Sequence, residues 1–197
     1  MAANGRKSPP SVGFLTVCDH DQQGLFGGYL VLNTTGRPVE FHCTAPVRAS
    51  RAQEILYGAT LKPYLYGEQI GQALLGKANM SPLVVFTDDQ TVLAVRQFAN
   101  VPVGCVLEDG AKDELNAGQG PAGYLRMDDA HRAVKSPFAS GLHQFTVGNQ
   151  HVAVLQTHQE DAQAIAQRCQ DFADSFDLSE PFTRIREAID EARRTAR

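Results

Sequence analysis

The sequence predicts an α/β fold: a mixed five-stranded sheet of order 3-2-1-4-5, followed by a β-hairpin and two helices. Three observations predict it. Residues 11–18 carry apolar side chains on both faces, which suits the centre of a sheet covered on both sides. Two more strand-like runs, 27–33 and 38–44, follow across short turns and make an antiparallel set with the first. The run Leu83-Val84-Val85-Phe86 then opens a strand, helix, strand series, and parallel strands need such a crossover.

With 197 residues and 43% hydrophobic content, the chain is long enough for a real core. A net charge of −4 and a pI near 5.8 argue against a dedicated nucleic-acid binder, although a local basic patch is compatible with them. No stretch approaches the roughly 20 apolar residues of a membrane span. The opening MAANGRKSPP lacks an apolar h-region, so the expectation is a soluble, cytoplasmic protein. Cys18, Cys43, Cys105 and Cys169 form no C-x-x-C pair and read as free thiols in a reducing compartment.

The elements follow in order. Residues 1–10, with Pro9-Pro10, are expected to be a disordered tail before a core of 11–107. In the third strand Val39, Phe41 and Cys43 alternate with Glu40, His42 and Thr44, predicting one dry face and one wet face near a sheet edge. Ser50-x-x-Gln53 is a capping box, and Gly58 closes that short helix. Thr60 is placed to cap a second helix carrying Pro63, Leu61, Leu65, Ile70, Leu74 and Leu75, weakened by Gly67 and Gly71. Thr87-Asp88-Asp89 then caps a helix over 90–98. A hairpin over 83–96 fits almost as well, since Val92, Val95 and Phe98 favour strands. The helix is preferred because 102–107 then supplies the next parallel strand.

Residues 108–124 are polar and glycine-rich, a loop or linker. The remainder, 125–197, is expected to pack on the core. It holds a hairpin of 142–147 and 151–157 around Gly148-Asn149, and a helix over 159–176. A last helix, capped by Ser179, carries Phe182, Ile185, Ile189 and Ala192 on one face.

Three motifs carry chemistry. VCDHD…GGYLVL, SRAQEI and VVFTDDQTV, within about residues 12–107, resemble the ribonuclease H-like superfamily. The resemblance implies a metal-dependent, nuclease-like hydrolase acting on phosphodiesters, and so nucleic acid as a partner. It implies Mg²⁺ or Mn²⁺ held by Asp19, Glu54 and Asp88, with Asp161 as a fourth ligand and Asp109 as its rival. Two hard cations at a scissile phosphate require several converging carboxylates, which is the reason for that pattern. Asp19, Glu54 and Asp88 are then the catalytic set, with His158 as a nearby proton carrier.

The sequence departs from the family at two points. Aligning Arg51 with the family's arginine puts Gln53, not Glu54, at the glutamate position. A simple member also continues after 107 with one helix. The alternative is therefore a non-catalytic binding or scaffold module using the face around Tyr57, Tyr64 and Tyr66 for a protein partner. On that view Asp19 and Asp21 are turn residues, Asp88 is a helix cap, Glu54 lies on a solvated face and His42 is surface. Gly27-Gly28 then allows close backbone packing or a bulge.

Overall fold

The computed structural model describes residues 10–20, 23–107 and 141–195. Residues 1–9 of the expected tail over 1–10, Asp21, Asp109 and the loop 108–124 lie outside the described residues. The strands are β1 (Ser11–His20), β2 (Gly24–Asn33), β3 (Pro38–Cys43), β4 (Val85–Thr87), β5 (Val103–Leu107), β6 (Leu142–Val147) and β7 (Gln150–Leu155). They form one sheet of order β3-β2-β1-β4-β5-β7-β6. β1 runs antiparallel to β2 and parallel to β4, with Leu15 opposite Thr87. The five-strand order expected from the sequence is therefore present.

The C-terminal hairpin corrects one expectation. Rather than packing on a finished sheet, it extends that sheet to seven strands: β7 pairs antiparallel with β5, Cys105 opposite Ala153. Parallel β5 is thereby covered along its otherwise open edge.

Helical elements cover both faces. Between β3 and β4 run α1 (Arg51–Tyr57), a 3-10 turn (Gly58–Thr60), α2 (Leu61–Pro63), a π-helical stretch (Tyr64–Gly71) and α3 (Gln72–Lys77). A 3-10 helix (Gln90–Gln97) links β4 to β5. The chain ends in α4 (Glu160–Ser175) and α5 (Glu180–Thr195). One core lies under α4 and α5 and includes Phe14, Phe86, Ile165, Phe182 and Ile185; the other, under the first helical layer, includes Leu15, Tyr29, Ile70, Leu74 and Leu93. Alternation along β1 and β4 divides Phe14 and Phe86 from Leu15 and Val85.

Glycine makes this two-sided packing possible. A Cβ on Gly27 would stand 2.1 Å from Ile70 Cγ2, and one on Gly28 2.2 Å from Ile185 Cγ2 on the opposite face. The Gly-Gly pair is thus a close-approach device for helices on both sides of β2.

Three local expectations are corrected. Thr60 does not cap a new helix; its hydroxyl donates to the Tyr57 carbonyl (2.8 Å), and the chain stays helical from 58 to 77. Gly67 and Gly71 support rather than weaken this layer. Added Cβ atoms there would lie 2.6 Å from Ala94 Cβ and 2.8 Å from Val95 Cγ2, so both seat the π-helical stretch on the 3-10 helix. On β3 the wet and dry faces are exchanged. Val39 (45%) and Phe41 (39%) are exposed, whereas the Glu40 carboxylate turns inward to accept from the backbone N–H of Asn79 and Met80, both at 2.8 Å. The amides of the turn before β4, which Glu40 satisfies, explain the exchange.

Candidate functional site

The carboxylates singled out in the sequence come to three different places. Asp88 follows β4 and faces α5, because β4 places Phe86 on that side. Asp19, on the other parity of β1, is exposed and lines a cleft of about 680 Å³ on the opposite face, together with Glu54, Arg48, Lys62 and Tyr66. The in-register neighbour of Asp88 on β1 is position 16, so Asp19 lies three residues farther along, roughly 10 Å at strand rise. The sheet stands between the two. Glu54 shares the cleft with Asp19, but its carboxylate accepts from Arg51 Nη1 (2.8 Å).

Asp161 and His158 are at the far end of the sheet. β7 runs antiparallel to β5, so the turn after it, where His158 contacts Thr157 Oγ1 (3.1 Å), lies beside the start of β5. Asp161 is buried there and bound by Arg96 and by the Val103 N–H. The shared centre expected of Asp19, Glu54, Asp88 and Asp161 is therefore not assembled. Among the described residues no group of three or more His, Cys, Asp or Glu side chains could hold a metal ion.

A divalent metal does not fit Asp88 on other grounds. Its carboxylate pairs through Oδ2 with Arg186 Nη2, while Oδ1 is buried without a hydrogen-bond partner. Burial pushes its pKa up, against the opposing pull of the Thr16 side chain and the Arg186 charge. Asp88 also lines a polar cavity of about 330 Å³ with Gln90, Ser179, Thr183 and Arg186. One free oxygen is far from the six ligands a hard cation takes.

The cap is supplied by the neighbouring residue. Asp89 Oδ1 accepts from Thr91 N (2.7 Å) and starts the 3-10 helix, and its Oδ2 faces Lys62 Nζ at 3.5 Å. Lys62 also lies over the Tyr66 ring, 4.9 Å from its centroid. Burial, reinforced by Asp89, Asp19 and Cys18, pushes the Tyr66 hydroxyl up to about 12, so it stays a neutral donor. Tyr57 and Tyr64 stack with centroids 4.2 Å apart, beside the same cleft.

Helix α1 forms the outer wall. Its capping box is complete: Gln53 N donates to Ser50 Oγ (3.2 Å) and Ser50 N to Gln53 Oε1 (2.9 Å). Gln53 is thereby committed to the cap. None of the α1 residues is buried, and Ile55 (67%) and Leu56 (81%) stand exposed. His42 is not free surface; its Nε2 lies 2.6 Å from Glu40 Oε1.

Sequence reasoning missed Arg186, Lys62 and the outward apolar pair of α1. Arg186 was legible in part: the buried series Phe182, Ile185, Ile189 sets its helical phase at the edge of the packed face. Which carboxylate it meets depends on tertiary structure.

No protein-family model matches the chain, and no curated protein matches it. Among solved structures it is similar to human endonuclease V, with 14% identity over 97% of this chain and 87% of that one, at a TM-score of 0.49. The catalytic domain of human endonuclease V also matches (14% identity, 94% and 85% coverage, TM-score 0.46). So does Ciona intestinalis endonuclease V in complex with a 24mer DNA containing an inosine followed by a ribo-adenosine (10% identity, 95% and 88% coverage, TM-score 0.45). Likeness at this level bears no chemical argument, and the chemistry rests on the residues above.

Proposed function

We propose that this chain is a non-catalytic binding module, built on a ribonuclease H-like sheet, that docks a protein segment along α1 and the adjoining cleft. One observation carries the reading: α1 buries none of its residues and turns Ile55 and Leu56 outward beside a cleft of about 680 Å³. A seven-residue helix is marginal in water without an apolar contact, so a partner surface would complete its packing. The lining mixes Asp19 and Glu54 with Arg48 and Lys62, and the stacked Tyr57 and Tyr64 lie close by. A mixed-charge, aromatic wall suits a peptide better than a phosphate backbone, which favours a run of cations. The four free cysteines fit a reducing, cytoplasmic setting, and among the described residues no helix is long and apolar enough to cross a membrane.

The test is a photo-crosslinking residue at position 56, with Gly76 as the control position. A discrete adduct from position 56 alone, lost with Ile55→Asp, supports the reading. Equal yield at both positions ends it.

A second reading, the metal-dependent phosphodiester cleavage that the sequence resemblance implies, has one favourable observation. Asp88 stands at the C-terminal end of parallel β4 with one oxygen unpartnered. Incubating labelled DNA and RNA, with and without inosine, in Mg²⁺ or Mn²⁺ decides it. No cleavage above a metal-free control is expected.

A further inference from the structure

We infer that Arg186 is the resident cation of the Asp88 pocket: a guanidinium carried by α5 takes the electrostatic place of a divalent ion and makes the pocket metal-independent. The inference rests on the non-catalytic reading and deepens it. Asp88 is mostly buried, its side chain 17% exposed, and a carboxylate so placed needs a counter-charge. Its in-register neighbours supply none. They are Thr16 on β1, beyond the Leu15–Thr87 pair, and Val106 on β5, beyond the Thr87–Cys105 pair. Arg186 supplies it by direct contact.

The Arg186 side chain is itself half exposed, but the core fixes where α5 presents it. Arg186 stands between Ile185 and Ile189, which are 0% and 1% exposed and pack in the Phe14–Phe182 core. Ile185 is also seated against Gly28, where no larger residue fits. The helix cannot rotate Arg186 away without unpacking that core.

The nearby acid also has no free charge to offer a second cation. On the same face Asp190 pairs with Arg193 Nη1 (2.7 Å) and lies 3.7 Å from His20 Nε2, and Cys18 is held protonated chiefly by burial. Each acid already has its base. A divalent ion at Asp88 would sit against the Arg186 guanidinium, with only Oδ1 to offer in return.

The experiment combines Mn²⁺ binding, read by electron paramagnetic resonance, with thermal melts of wild type, Asp88→Asn, Arg186→Met, the double variant and Arg186→Lys. Wild type should bind no more Mn²⁺ than Asp88→Asn. Arg186→Met should lower the melting temperature by several degrees, and adding Asp88→Asn should return much of that loss. Arg186→Lys should stay close to wild type. Mn²⁺ binding by wild type that Asp88→Asn abolishes would overturn the inference. So would an Arg186→Met loss that is the same with Asp or Asn at 88. If Arg186→Met does not fold, the Mn²⁺ measurement and Arg186→Lys still decide. Failure of the crosslinking test leaves these results untouched, so the two proposals fail separately.

Discussion

Arg96 grips Asp161 in a two-pronged ion pair, Nε to Oδ2 at 2.5 Å and Nη2 to Oδ1 at 3.1 Å, across 65 residues of sequence. The carboxylate is 4% exposed and the guanidinium 21%, and Arg96 Nη1 donates to the Ala99 carbonyl. The pair ties the first turn of α4 to the connection between the 3-10 helix and β5. Removing one partner leaves a buried charge, so Arg96→Ala should cost about 3–5 kcal/mol in urea denaturation. The double variant Arg96→Met/Asp161→Leu should lose less than Arg96→Ala alone, because no orphaned charge remains. A double variant as unstable as the single one would place the cost in packing.

Glu40 makes a prediction about acid. Partial burial works against its charge, but hydrogen bonds from Asn79 N, His42, Met80 N and the Asn79 side chain outweigh this and hold the carboxyl at about 2. The folded-state value is below the unfolded one of 4.5, so the stability it contributes is complete above about 4.5 and is lost as pH falls toward 2. In melts from pH 6 to pH 2.5, wild type should lose stability relative to Glu40→Gln below about 4.5, and the two curves should converge. A constant gap across that range would contradict the assignment.

The Gly27-Gly28 pair and Gly76 predict opposite effects from one kind of substitution. Gly28→Ala drives a methyl into Ile185, and Gly27→Ala drives one into Ile70, each at a Cβ separation of 2.2 Å or less. Overpacking of this kind costs about 1–3 kcal/mol. Gly76, in α3, meets nothing within 4 Å, so Gly76→Ala should stabilise by about 0.5–1 kcal/mol. Calorimetry on the three variants reads the signs directly.

The strand order was legible because its signals are local. Two-sided apolar runs marked β1 and β4, and the turn chemistry at 34–37 and 148–149 marked both hairpins. The capping boundary at Ser50 was legible for the same reason. What escaped depends on distant partners. Glu40 turns inward for amides 39 and 40 residues away, and β3 therefore shows its apolar side. The carboxylates looked like one site because the sequence places each beside a strand end or helix start. Parity along β1 and β4 sends Asp19 and Asp88 to opposite faces, and the antiparallel return of β7 carries Asp161 to the other end. The C-terminal helix that brings Arg186 to Asp88 is separated from it by 98 residues, which no local pattern reports.

Helix α1 supplies the last prediction, because its stability and that of the whole protein come apart. The helix buries no residue, so its persistence depends on the Ser50–Gln53 capping box and on the Gly58 N–H that closes onto the Glu54 carbonyl. Ser50→Ala removes the side-chain acceptor at the cap, a loss of about 1 kcal/mol. That loss falls on local opening and not on global unfolding, since α1 itself places no residue in either core. Amide exchange of Glu54 and Gly58 should therefore accelerate several-fold, while the melting temperature and the exchange of Phe14 and Phe86 in the sheet remain as in wild type. If α1 is the docking wall, the photo-adduct at position 56 should also weaken in Ser50→Ala, in step with the exchange rate. A fall in melting temperature equal to the local effect would mean that α1 belongs to the cooperative core, and the docking reading would lose its main support.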